Sequence, residues 1–114
     1  VRICFGSYDR GFALVADRRN PVTGHHEVLG VGRFSATSRG EAEAAVLVSD
    51  QWQGRGLGTE LLAGVARVAR EEKFRKLTAE ILRDNLATQA IFKKAGFTLR
   101  AMEIHLRYQQ RWNS

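Results

Sequence analysis

The stretch Gln53-Gly54-Arg55-Gly56-Leu57-Gly58-Thr59 puts three glycines into seven residues, between an apolar run and a helical pattern. Glycine lets the backbone turn tightly and brings N–H groups close to a ligand. The free N–H groups at the start of the following helix point the same way, which makes the turn a cradle for an anion. No good side-chain cap precedes Leu57, which fits a ligand serving as the cap, and Arg55 adds a positive charge. The plainer alternative is a helix-start loop whose glycines serve packing only.

Upstream of the turn the chain reads as strands. Residues 11–17, Gly-Phe-Ala-Leu-Val-Ala-Asp, form one, and Glu27 to Phe34 form the next. Between them Asn20-Pro21 and Thr23-Gly24 are turn signals, so a hairpin is expected. Ser35 to Gly40 is a polar turn, and Glu41 to Val48 is a third strand that grows more apolar toward its end. Short polar turns between three strands predict an antiparallel meander. Downstream, Leu57, Leu61, Leu62, Val65, Val68 and Ala69 recur at helical spacing, which predicts a helix over Gly56 to Glu72. Lys76 to Leu82 reads as a strand with Leu77, Ala79 and Ile81 on one face. Asp84 and Asn85 can cap a second helix, Leu86 to Ala95, which Gly96 ends. Phe97 to Tyr108 reads as a final strand. The expected order is β-β-β-α-β-α-β.

At 114 residues the chain is one domain, 1–114, with ordinary globular composition. One cysteine leaves no internal disulfide framework and no cysteine-based metal site. Apolar runs such as Ala44 to Val48 are far too short to span a membrane, and the first residues lack the apolar stretch of a signal peptide. A cytoplasmic location is expected, with no membrane partner. Because the chain starts with Val, it reads as a fragment or a chain whose start was removed. The net charge of +6 is uneven: residues 1–50 hold six basic and six acidic residues, and residues 51–114 hold twelve and six. The second half is where an anionic partner is expected.

The turn fails two tests for familiar phosphate loops. The P-loop needs Gly-Lys-Ser/Thr at its end, and this chain has Leu57-Gly58-Thr59. The dinucleotide fingerprint read from Gly54 meets Thr59 where its third glycine belongs, and the strands before it are not a parallel βαβ unit. A third pattern fits. Gln53-x-x-Gly56-x-Gly58 resembles the acyl-coenzyme A pyrophosphate loop of the GNAT acetyltransferase superfamily. Val46-Leu47-Val48 before the loop, Asn85 after it, and then Ala95-Gly96-Phe97 resemble the family's motifs in order. The resemblance covers residues 11 to 108. Glu41 to Val48 and Trp52 to Gly58 look most like the acyltransferase domain of bacterial Pat-type protein lysine acetyltransferases.

The resemblance implies a mixed α/β (α+β) fold, a mostly antiparallel twisted sheet flanked by helices, with the family's amino-terminal strand and helices missing. It implies acetyl transfer from acetyl-coenzyme A (acetyl-CoA) to a primary amine, a protein lysine or a small amine, by direct attack in a ternary complex. The pantetheine arm would pair with Val46, Leu47 and Val48. The pyrophosphate would sit on Gly54, Arg55, Gly56, Leu57, Gly58 and Thr59, beside Gln53. Asn85 would reach the arm, and the cofactor set also includes Phe92. An unperturbed lysine amine holds its proton up to a pH of about 10.4, so a base must take that proton. Glu43 resembles the glutamate used this way in protein lysine acetyltransferases, and Glu80 matches a second position where relatives carry a base. Each of these glutamates also reads as an ordinary solvated strand residue. No metal is implied.

The chain departs from the family at two points. Many relatives carry a Tyr seven residues after the Asn, where it protonates the leaving thiolate, and here that residue is Phe92. A thiol pKa of about 8.5 makes the thiolate a tolerable leaving group without it. Only about ten residues precede the first clear strand, so the wall that the family's first helices make at the acceptor site is expected to be absent, supplied by another chain, or missing from the fragment. An edge left open this way predicts either a homodimer or a lost amino-terminal segment. Two rival functions remain: a domain that binds acyl-CoA without catalysis, and nucleic-acid binding through the basic half. The second lacks aromatic interleaving and a recognised motif, so no nucleic-acid partner is expected. His25 and His26 read as a solvated turn, His105 as structural, and Cys4 has no partner that would make it a nucleophile. Trp52 would pack over the loop or stand exposed, and Trp112 lies in a polar tail that could meet an interface.

Overall fold

Residues 2–8, 11–101 and 105–112 are described by a computed structural model. Among the described residues, seven strands form a single sheet in the order β1-β2-β3-β4-β5-β7-β6. In chain order these are β1 (Arg2–Tyr8), β2 (Gly11–Arg19), β3 (His26–Ser38), β4 (Glu41–Val48), β5 (Lys76–Leu82), β6 (Thr98–Ala101) and β7 (His105–Arg111). Helix α1 (Leu57–Glu71) follows β4, and helix α2 (Leu86–Lys94) follows β5. Every neighbouring pair is antiparallel except β4 and β5, which run parallel. A parallel pair needs a crossover, and α1 supplies it.

The expected hairpin, meander and both helices are present. Three differences stand out. A strand does precede β2: β1 pairs with it from Arg2↔Asp17 to Tyr8↔Gly11. The amino-terminal strand expected to be missing is therefore there, and β1 rather than β2 stands at that end of the sheet. No helix lies between β1 and β2, whose ends are separated by residues 9 and 10 alone. The strand expected over Phe97 to Tyr108 is two strands, β6 and β7, which pair with each other; Ile104 lies outside the described residues. The two run antiparallel, which alternation alone cannot register. Finally, Trp112 is no free tail. It packs half-buried against the core, and its N–H donates to the Arg75 carbonyl at 2.9 Å.

The core lies on one face of the sheet. Phe12, Phe34, Ala42, Ala44, Val46, Leu77, Ala79 and Ile81 point to it from the strands. Leu62, Val65 and Ala69 meet them from α1, and Phe92 from α2. Full burial of large apolar side chains contributes roughly 1.5–3 kcal/mol each. Helix α1 lies close on β3 because Gly32 gives it room. A Cβ there would stand 3.1 Å from both Leu61 Cβ and Val65 Cγ2. The helix ends with Lys73 at φ 71°, while the Phe74 N–H reaches back to the Ala69 carbonyl. That is a glycine-type ending made with a lysine. On the opposite face of β4, Glu43 and Leu47 are exposed.

Candidate active site

Strands β4 and β5 pair only through Glu41↔Lys76, Ala42↔Leu77 and Glu43↔Thr78. Beyond Glu43 the two strands part, so the β5-facing side of Val46 to Val48 carries no β5 partner. At the joined end Glu41 accepts from Ser38 Oγ at 2.6 Å and pairs with Lys76 Nζ at 3.5 Å. The Ser38 hydrogen bond first, then the Lys76 charge, holds the Glu41 carboxyl below the ordinary carboxylate range.

The gap opens onto the glycine turn. A cleft of about 430 Å³ runs between the end of β4, the turn and α2. Val46, Leu47, Val48, Gln53, Gly54, Gly56, Gly58, Thr59 and Asn85, all expected at a ligand, line it. Gly54 and Gly56 have φ of 76° and 83°, and a Cβ built on either meets nothing within 4 Å. Their conformation is the left-handed one that costs an ordinary residue roughly 1–2 kcal/mol. Gly56 is the residue before the first turn of α1, and no side chain caps that turn. The N–H groups of Leu57, Gly58 and Thr59 have no acceptor among the described residues, so the positive end of α1 faces the cleft. Gly58 lets α1, α2 and β4 converge, since a Cβ there would lie 2.5 Å from Ile91 Cδ1 and 3.3 Å from Val48 Cγ2. Uncapped N–H groups at a glycine turn suit phosphate oxygens, and an apolar wall of Val46, Ala90 and Ile91 suits an aliphatic arm.

A family model of the GNAT acetyltransferase domain matches residues 4–98. The chain is a GNAT acetyltransferase domain. Among solved structures it is similar to the GNAT domain of S. lividans PAT, with 30% identity and a TM-score of 0.76 over 90% of this chain and 61% of that one. It is also similar to ribosomal-protein-alanine N-acetyltransferase from Brucella melitensis, with 26% identity and a TM-score of 0.74 over 90% of this chain and 69% of that one. A Bacillus subtilis acetyltransferase solved with CoA shares the fold, at 15% identity and a TM-score of 0.74 over 91% of this chain and 78% of that one.

Several side chains of the GNAT domain sit elsewhere than expected. Phe92 does not line the cleft. It is 1% exposed and meets Phe97 edge-on with ring centroids 5.0 Å apart. The reason is helical phase: Ala87, Ile91 and Lys94 share the cleft side of α2, while Gln89 and Phe92 take the buried side. Leu57 is buried with Ala16, Leu29 and Leu61, so only its backbone is offered to the cleft. Gln53 Nε2 donates to the Val48 carbonyl at 3.1 Å and to Asp50 Oδ1 at 3.3 Å, which shapes the turn. Arg55 lies over the Trp52 ring, 4.8 Å from its centroid, with Arg18 of β2 at 5.2 Å. Asn85 lines the cleft and also caps α2, accepting from the Thr88 N–H at 3.2 Å. Glu43 stands in the last β4–β5 pair, and Glu80 lies two residues past its partner Thr78; both are exposed and neither lines the cleft.

Trp52, Ala87, Thr88, Ala90, Ile91 and Lys94 line the cleft without having been expected at a ligand. Phase on α2, counted from the Asn85 cap, is the signal that could have found the helix residues. Among the described cations of the second half, Lys94 alone is on the cleft wall. Gln89, 5% exposed, donates to the carbonyls of Leu82 and Arg83 at 3.1 and 2.8 Å and so fixes the link from β5 to α2. Among the described residues no group of three His, Cys, Asp or Glu is placed to hold a metal, and no helix is long and apolar enough to cross a membrane.

Proposed function

We propose that this GNAT domain transfers the acetyl group of acetyl-CoA to a primary amine, with a protein lysine as the acceptor. The observation that carries the reading is the parting of β4 and β5 directly above the uncapped start of α1. Backbone groups of Val46 to Val48 would bind the pantetheine arm as an added strand would. The N–H groups of Leu57, Gly58 and Thr59 would take the pyrophosphate, with Lys94 adding charge and Asn85 meeting the arm.

Glu43 is the proposed base. It stands where the strands divide, on the exposed face of β4, and takes a proton from the acceptor amine directly or through a water. The amine nitrogen then bonds to the acetyl carbon as the carbon–sulfur bond breaks and the CoA thiolate leaves. With Phe92 buried, no phenol is offered at that position, and the thiolate leaves without one. Glu80 is a second candidate for the base.

Thiol release from acetyl-CoA, measured with lysine peptides and small amines, tests the reading. Amine-dependent release with an acetylated acceptor by mass is the expected result. Calorimetric binding of acetyl-CoA with no release for any amine would favour a second reading, a domain that binds acyl-CoA without transfer. The observation behind that second reading is the direct step from β1 to β2, with no helix between these two strands.

A further inference from the structure

The exposed face of β3 and β4, where Glu43 stands, also carries a cation. Arg33 lies between Gly32 and Phe34, both buried on the core face, so its own side chain goes to the other face and is exposed. Its partner across β4 is Ala45, and its partner across β2 is Ala13. Glu43, opposite Ser35, and Leu47, opposite Val31, stand one step to either side on β4. Leu47 lines the cleft. Arg33 therefore sits in the row between the cleft mouth and the proposed base.

Among the described residues the guanidinium is uncommitted. The Arg18–Glu27 and Lys76–Glu41 ion pairs do not involve it, and Arg33 takes part in no hydrogen bond or ion pair among the described residues. Both cross-strand neighbours are alanines, which neither cover it nor neutralise it. Glu43 is a diagonal neighbour, roughly 7–8 Å away between Cα atoms, and the two are not paired. An arginine left open beside small residues presents a planar fork that matches a carboxylate.

We propose that Arg33 selects acceptors that carry a carboxylate close to the reacting amine. Glu43 meets the amine and Arg33 meets the acid, so the face reads a pair of opposite charges. This rests on the acetyl-transfer reading and adds to it the class of acceptor. The same chemistry has two sources: a protein lysine with an Asp or Glu neighbour, or a free amino acid.

Matched acceptors test it. The lysine peptides carry Asp or Glu beside the lysine against Asn or Gln. The free acceptors are glycine, β-alanine, 4-aminobutyrate and 6-aminohexanoate, each against its amide. Acceptor KM is measured by thiol release for the wild-type domain, Arg33→Gln and Arg33→Lys. The acid member of at least one pair should show a KM lower by about tenfold, as expected for one charge-assisted contact. Arg33→Gln should bring the pair within about twofold, Arg33→Lys should keep part of the preference, and the Kd for acetyl-CoA should not move. Which series shows the preference identifies the source. The same pairs are also titrated by NMR into the CoA-loaded domain. If no amine is acetylated, the transfer reading fails, while the acid preference and its loss in Arg33→Gln are still read as binding. Equal behaviour of acid and amide in the wild-type domain, or a preference that survives Arg33→Gln, overturns the proposal.

Discussion

Replacing Gly56 by alanine separates the two consequences of the glycine turn. Gly56 has φ 83° and ψ 0°, immediately before the first turn of α1. A side chain in that region costs roughly 1–2 kcal/mol, which for a domain near 100 residues lowers Tm by about 4–8 °C per kcal/mol. Gly24, in the β2–β3 hairpin, is an internal control. Its φ is 74°, and a Cβ built on it also meets nothing within 4 Å. Both substitutions should therefore cost similar stability. They should differ in binding, because Gly56 lines the cleft and Gly24 does not. A Cβ at Gly56 projects where the phosphates would approach the N–H groups of Leu57 to Thr59. Gly56→Ala should then weaken acetyl-CoA binding by about tenfold or more, worth about 1.4 kcal/mol, while Gly24→Ala leaves it unchanged. Calorimetry reads the affinity and thermal melts read the stability. Equal affinity in Gly56→Ala and wild type, alongside the expected fall in Tm, would refute the assignment of the turn to the phosphates.

Further outcomes follow from the same geometry. Gly58→Ala should displace Ile91 from the 2.5 Å approach and push it toward the cleft, so acetyl-CoA affinity falls more than Tm does; the reverse order would count against the packing account. Glu43→Gln should lower kcat by about a hundredfold, the scale of a lost general base; a variant of near-normal rate would shift the role to Glu80. Phe92→Tyr should bring no gain in rate and should lose about 1–3 kcal/mol of stability if its hydroxyl finds no partner beside Phe97. A large gain in rate would show that position 92 reaches the leaving group after all. Lys73→Gly should stabilise the domain by about 1 kcal/mol, by relieving the left-handed residue at the end of α1. The Glu27 carboxyl is held below its ordinary range by Asn20 Nδ2 at 2.6 Å and then by Arg18. A depressed carboxylate stabilises above its unfolded pKa and loses that support as pH falls through the folded one. NMR titration should accordingly show Glu27 titrating later on acidification than a free glutamate, and Asn20→Ala should move it back up.

Local patterns in the sequence were enough for α1, β5, α2 and its Asn85 cap, because each depends on spacing or on a cap within a few residues. The glycine turn was legible for the same reason. What escaped depends on distant partners. Arg2 to Tyr8 becomes a strand because β2 offers a free edge, and its mixed composition gives no alternation to read. The reversal between β6 and β7 falls within a stretch that reads as one strand, since both halves have strand character. Position 92 was placed at the ligand by family correspondence, yet one step along a helix is a turn of about 100°, and that step puts Ile91 in the cleft and Phe92 in the core. Arg18 reaches Trp52 only through the sheet, across more than thirty residues of chain. Nothing local in the sequence marks Arg33, and only the register sets it diagonal to Glu43.

The central claim is that acetyl-CoA binds along the parting of β4 and β5 with its pyrophosphate on the start of α1. A crystal structure of the domain with acetyl-CoA tests this directly. The account predicts phosphate oxygens within hydrogen-bonding distance of the N–H groups of Leu57, Gly58 and Thr59, and an acetyl group on the side of Glu43. Phosphates seated away from that turn, or an arm that leaves Val46 to Val48 untouched, would contradict it.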